Sequence, residues 1–208
     1  MGLRLIDNPL IRHKLNTIRD ISTPSERLRC LVEEISLMCM PYLGEGLPTH
    51  VRRIRTPLME GDFEFIDEGS IALVCILRAG LPMLSGALKA LPGASSGFLA
   101  IKRDEKSLIS KLYYSRLPNI KGRYVILLDP MLATGGTFQL AMEEIGALGP
   151  RHVRSLHIVA SPQGIEEVSR KYPDVDLYVI SVDESLNSMG YIVPGVGDIG
   201  DRLFTGNL

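Results

Sequence analysis

Cysteine is scarce in this chain. Cys30, Cys39 and Cys75 make an odd set, none stands in a Cys-x-x-Cys pair, and all three lie in apolar surroundings. That argues against a disulfide framework or a thiolate metal site and predicts buried free thiols in a reducing compartment. The four histidines, His13, His50, His152 and His157, show no ligand spacing, and His157 reads as a satisfied strand residue inside an apolar run. Long apolar runs are missing too: none approaches the roughly 20 residues of a membrane span. Met1 to Asn8 is too short for a signal peptide and carries Arg4 and Asp7. A cytoplasmic location with no membrane partner is therefore expected. There is no basic excess: 23 Lys and Arg face 24 Asp and Glu, a net charge of -1. This gives no electrostatic basis for a nucleic-acid partner. No internal repeat or low-complexity linker interrupts the chain.

What is present is the patterning of an α/β protein. At 208 residues the chain suits a single domain, 1-208, with a sizeable core. It divides into an N-terminal helical segment (1-45), an α/β core (71-180) and a C-terminal segment (185-208). Five apolar runs read as strands: Ile71 to Leu77, Gly97 to Ile101, Tyr124 to Leu128, Val153 to Ala160 and Val175 to Ile180. Helical periods fall at Leu81 to Leu91, Phe138 to Leu148 and Pro162 to Tyr172. This alternation predicts a mainly parallel twisted sheet flanked by helices on both faces.

Upstream, Leu3 to Ile18 suggests a short extended start and a surface helix with a basic face. Thr23-Pro24-Ser25-Glu26 reads as a capping box with proline at the first helical position. Its helix is expected to end near Met40, because Pro41 cannot continue it. Tyr42 to Pro48 is a glycine-rich break, His50 to Thr56 a partly exposed strand, and Pro57 to Glu68 a hairpin-like excursion. Lys111 to Leu117 has strand character. With the charged stretch Lys102-Arg103-Asp104-Glu105 it suggests a flexible two-stranded flap; a solvated loop is the simpler reading of those charges.

The chain is organised around Arg123 to Thr137, RYVILLDPMLATGGT. A buried strand ends in Asp129, small and hydroxylated residues follow, and a helix begins. Adjacent glycines let backbone N–H groups approach an anion, and the helix N-terminus adds partial positive charge. Thr134 and Thr137 add hydroxyl donors. The loop has no lysine, which excludes a Walker-type NTPase loop. A carboxylate before a phosphate cradle suits a ribose 5-phosphate group. A Gly-Gly turn closing a βα unit is the plain alternative. Arg78 follows the Ile71 to Leu77 run directly, beside a helix-opening glycine, where open α/β sheets bind ligands. A guanidinium there can hold diphosphate, or can be an ordinary surface arginine. Gly190-Tyr-Ile-Val-Pro-Gly-Val-Gly-Asp-Ile-Gly-Asp is too rich in glycine and proline for helix or long strand, yet too apolar for a disordered tail. It reads as an ordered loop, either purely structural or turning backbone groups toward a small polar ligand.

These strings resemble the type I phosphoribosyltransferases, enzymes that use 5-phosphoribosyl 1-diphosphate (PRPP). DPMLATGG, with Pro130 where most of that family has a second acid, is similar to the uracil phosphoribosyltransferase branch, and so is the C-terminal hood. The resemblance implies that fold, with a β flap and the hood. It implies conversion of uracil and PRPP to UMP and diphosphate. By the match PRPP is held by Arg78, Arg103, Asp129, Pro130, Met131, Leu132, Ala133, Thr134, Gly135, Gly136, Thr137 and Asp198. Ile192, Gly197, Asp198 and Ile199 line the uracil site. Asp198, Asp129 and Arg103 carry the catalytic roles. Mg²⁺ is implied as cofactor, bound mainly through PRPP and water with no direct protein ligand. A homodimer or higher homo-oligomer is implied, with GTP a possible effector. Three departures stand out: Tyr42-Leu-Gly-Glu-Gly, Lys102 where relatives often have tyrosine, and Ile199 where they usually have alanine. The alternatives are a phosphoribosyltransferase for another base, a PRPP- or UMP-sensing RNA-binding regulator on the same fold, and a ligand-binding relative without activity.

Overall fold

The computed structural model describes residues 2–104 and 110–206. The expected flap tip, at 105–109, lies outside them. The strands are β1 (Leu3–Leu5), β2 (Thr49–Arg55), β3 (Glu60–Ile66), β4 (Ile71–Leu77), β5 (Ser95–Arg103), β6 (Ser110–Arg116), β7 (Tyr124–Leu128), β8 (Met131–Leu132), β9 (His152–Ala160), β10 (Asp176–Val182), β11 (Ser185–Leu186) and β12 (Ile192–Val193). The helices are α1 (Pro9–Arg19), α2 (Ser25–Gly44), α3 (Leu81–Ala90), α4 (Gly136–Gly146), α5 (Pro162–Lys171) and α6 (Ile199–Phe204).

The main sheet runs β1-β10-β9-β7-β4-β5-β6, with β8 paired to β9. Every pairing is parallel except β5 with β6. The expected mainly parallel sheet is what forms. Its strands are apolar throughout because both faces are covered. On β4, Ile71, Leu73 and Cys75 join one core with α1, α2, α3 and the hood; Ala72, Val74 and Ile76 join the other with α4 and α5. From β4 the chain moves through α3 to β5; from β7 it moves through α4 to β9 on the other side. The order therefore reverses between β4 and β7, and a crevice opens beyond their C-terminal ends.

Three local expectations are corrected. Helix α2 does not stop near Met40 but passes through Pro41 to Gly44. Interior proline costs about 3 kcal/mol. The extra turn buries Leu43, worth about 1.5–3 kcal/mol, and buried Arg154 donates to the Leu43 carbonyl. The capping box does not form either. Pro24 is the N-cap and gives no side-chain bond, while Thr23 Oγ1 donates to the Thr17 carbonyl at 2.6 Å. Third, the hood is not helix-free: Asp198 caps the short helix α6 by accepting the Asp201 N–H at 3.0 Å. The N-terminal strand β1 also joins the sheet, beside β10. Strands β2 and β3 form a separate antiparallel hairpin, as the polar excursion suggested.

Candidate functional site

The crevice at the strand-order reversal is a cleft of about 860 Å³. The C-terminal ends of β4, β5 and β7, with Tyr113 of β6 and the hood, build it. Its floor is the loop after β7. Gly135 sits at φ 84°, a left-handed conformation that glycine adopts without steric cost. This turn starts α4, whose first N–H groups have no intrahelical partner and whose dipole favours an anion. Thr134, Gly135 and Thr137 line the cleft there. Thr137 Oγ1 lies 3.2 Å from Ser110 Oγ, so the start of β6 touches the cradle.

The rear of this cradle is tied down carbonyl by carbonyl. His157 Nδ1 lies 2.8 Å from the Asp129 carbonyl oxygen and must carry the proton, since a carbonyl only accepts. His157 Nε2 then accepts from Ser155 Oγ at 3.2 Å. The Pro130 carbonyl accepts from the Ile158 and Val159 N–H groups, and the Leu132 carbonyl from Ser161 N–H. Ser161 Oγ donates to the Ala133 carbonyl at 2.6 Å while accepting from Gly164 N–H at 2.9 Å, capping α5. Gly164 is a close-approach glycine: a Cβ there would lie 2.2 Å from the Ala133 carbonyl oxygen. Burial pushes the His157 pKa down to about 4, opposed by its bond to the Asp129 carbonyl. The imidazole is thus the neutral, bonded strand residue expected.

Asp129 is 8% exposed at the end of β7. Desolvation raises its pKa to about 7, opposed by the Met131 N–H. Across the crevice, Arg78 follows a cis Leu77–Arg78 peptide. Its Nη2 donates to Asp201 Oδ1 at 2.7 Å. Arg103, at the end of β5, donates to the Gly190 carbonyl at 3.0 Å and lies over the Tyr191 ring, 5.7 Å from its centroid. Both arginines thus contact the hood. The hood is itself anchored: buried Arg202 donates to the carbonyls of Ile18, Val196 and Asp20. Arg19 bonds Asp183 and the Gly195 carbonyl.

Of the residues expected at the site, Arg78, Arg103, Asp129, Met131, Leu132, Ala133, Thr134, Gly135, Thr137, Asp198 and Ile199 line this one cleft. Pro130, Gly136, Ile192 and Gly197 do not line it. Pro130 is buried against β9, Gly136 begins α4, and Ile192 is only 3% exposed within the core. Ile199 is also 3% exposed and belongs to the apolar core with Leu203. Sequence reasoning missed Tyr113, Phe138, Tyr191 and Asp201 as lining residues. For Asp201 the signal was its spacing: three residues after a capping Asp198, it falls in the first turn of α6.

A family model described as uracil phosphoribosyltransferase matches residues 5–206. A protein of that name from Aquifex aeolicus is 45% identical over 199 residues, covering 96% of each chain. One from Bacillus cytotoxicus is 42% identical over 203 residues, covering 97% of each. A solved protein structure from Aquifex aeolicus superposes with a TM-score of 0.96 at 44% identity, over 99% of each chain. The fold, the cleft and these likenesses agree: the chain belongs to the uracil phosphoribosyltransferase family.

Proposed function

We propose that this chain converts uracil and PRPP to UMP and diphosphate, with the β4–β7 crevice as its active site. The observation that carries this is the meeting, in one cleft, of the cradle, two arginines and the hood of a chain in this family. In this reading the 5-phosphate of PRPP sits at the N-terminus of α4, against the N–H groups and hydroxyls of Thr134 to Thr137. Asp129 accepts hydrogen bonds from the ribose hydroxyls. Arg78 and Arg103 stabilise the diphosphate as the anomeric C–O bond breaks and takes its electron pair with it. The uracil nitrogen supplies the pair for the new bond and loses its proton. Uracil lies against the hood backbone at Asp198 and Ile199, which matches its donor and acceptor edge without a charged side chain. Asp198 serves as an orienting group: one of its oxygens already accepts the Asp201 N–H. Catalysis is then positioning and electrostatics, with no covalent enzyme intermediate.

The donor set fits a Mg²⁺ ion that arrives on PRPP. Among the described residues no group of three or more His, Cys, Asp or Glu could hold a metal ion alone, and Mg²⁺ commonly takes one or two carboxylates together with phosphate oxygens and water. The ion would be held mainly through PRPP oxygens and water, with no direct protein ligand, and would neutralise diphosphate charge.

The chain is proposed to work as one domain and as a homo-oligomer. The β2–β3 hairpin supports the second point, because an isolated two-stranded hairpin is marginal in water. This one exposes Val51, Leu58, Met59 and Phe63. A GTP effector rests on the family resemblance alone. Among the described residues no helix is long and apolar enough to cross a membrane. Cys39 and Cys75 are buried free thiols as expected, whereas Cys30 is a free thiol exposed on α2 and not buried; free thiols suit a reducing cytoplasm. The test of this reading is UMP formation from labelled uracil, which should require both PRPP and Mg²⁺; no UMP under any condition overturns it.

A further inference from the structure

We propose that Asp201 is a positioning residue for Arg78, holding its guanidinium at the cleft wall before PRPP arrives. The two carboxyl groups of the hood have different partners. Asp198 is turned onto its own helix, where Oδ1 accepts the Asp201 N–H at 3.0 Å. Asp201 reaches across the cleft, where Oδ1 accepts from Arg78 Nη2 at 2.7 Å. The residues are 123 positions apart, so nothing local forces the pairing.

The two ends of this ion pair are unequally held. The Asp201 backbone is fixed at both its polar groups: the N–H by Asp198, the carbonyl by the N–H groups of Thr205 and Gly206. The next residue, Arg202, is buried on the Val196 carbonyl of the hood and on the Ile18 and Asp20 carbonyls at the end of α1. Arg78, by contrast, extends a long side chain that is 58% exposed. Left alone, such a side chain samples many rotamers and gives up that freedom on binding an anion. A short contact from a rigid carboxylate removes much of that freedom beforehand. The guanidinium carries five N–H donors in a planar fork. One goes to Asp201, and the fork can present others to diphosphate oxygens. The hood, which faces the base, thereby sets the direction of an arginine that faces the leaving group.

This inference rests on the proposed role of Arg78 in PRPP binding, and the experiment separates the two. Steady-state kinetics are measured for D201A, D201E, R78A and the double variant, varying PRPP and uracil independently. All the altered side chains are partly exposed, and melting temperatures check the fold. D201A should raise KM for PRPP by about three- to fivefold, near the ceiling for an exposed ion pair, with KM for uracil and kcat unchanged. D201E should recover most of that loss. In the R78A background, D201A should add nothing. An unchanged or lowered KM for PRPP in D201A overturns the proposal. So does a D201A effect that persists in R78A, or one confined to uracil. If R78A itself leaves KM for PRPP unchanged, the role given to Arg78 fails and the proposal falls with it.

Discussion

Gly164→Ala is the most searching test of how the cradle is held. The substitution looks harmless, since Gly164 lies inside α5 and alanine favours helix by about 1 kcal/mol. Its surroundings make it otherwise. The new Cβ would stand 2.2 Å from the Ala133 carbonyl oxygen and 2.8 Å from that of Leu132. Both contacts are backbone, so no side chain can rotate away. Restoring even a tight contact needs a separation of about 1 Å between α5 and the cradle. Overpacking of this kind costs about 1–3 kcal/mol, and the helix-propensity gain offsets about 1 kcal/mol of it. Net stability should therefore fall by no more than about 2 kcal/mol. Activity is the sharper readout. A displacement of about 1 Å in a positioning group can lower a rate on the order of 100-fold. The Ser161 bonds to Ala133 and Gly164 would also stretch. The assay is initial-rate UMP formation with PRPP varied at saturating uracil, beside calorimetric melting. The expected result is a large fall in kcat/KM for PRPP with a small change in melting temperature. Wild-type kcat/KM for PRPP would refute the argument that α5 holds the cradle.

Two further outcomes follow from burial. Ile199→Ala should lower stability by about 2–5 kcal/mol in urea denaturation, because Ile199 is 3% exposed in the core. KM for uracil should stay unchanged, since only the backbone there is proposed to meet the base. For Asp129, desolvation raises the folded-state pKa to about 7 against an ordinary value of 3.8. The neutral form is thus favoured on folding, and this group's contribution to stability falls as pH rises from about 4 to 7. Ionisation is what lets both oxygens accept from ribose, so kcat/KM for PRPP should rise with pH through about 7; Asp129→Asn should lack that limb.

The central strands were legible because a strand buried on both faces must be apolar along its whole length, as Ile71–Leu77 is. The cradle was legible because its chemistry is contiguous: acid, small residues, two glycines, helix. Features that depend on distant partners were not. The short extended start at Leu3 was legible, but not its place in the sheet: β1 has three exposed residues and joins β10 through backbone pairing. The turn of α2 beyond Pro41 depends on Arg154, 111 positions from the carbonyl it meets. The capping box failed because Thr23 found a carbonyl of the preceding helix instead. At the site, Arg78 and Arg103 could be placed at the C-terminal ends of their strands, but their attachment to Asp201 and Gly190 spans 123 and 87 positions. No local pattern in a single sequence carries such pairings. The need for glycine at position 164 is of the same kind, since it is set by the Ala133 carbonyl.

The most direct measurement is product formation from a panel of bases, each at equal concentration with PRPP and Mg²⁺. Labelled uracil should appear in UMP, with diphosphate released in equal amount and no product when PRPP or Mg²⁺ is omitted. Adenine, guanine and hypoxanthine should give none. Nucleotide formation from a purine in preference to uracil, or no turnover of uracil by a folded protein, would contradict the account.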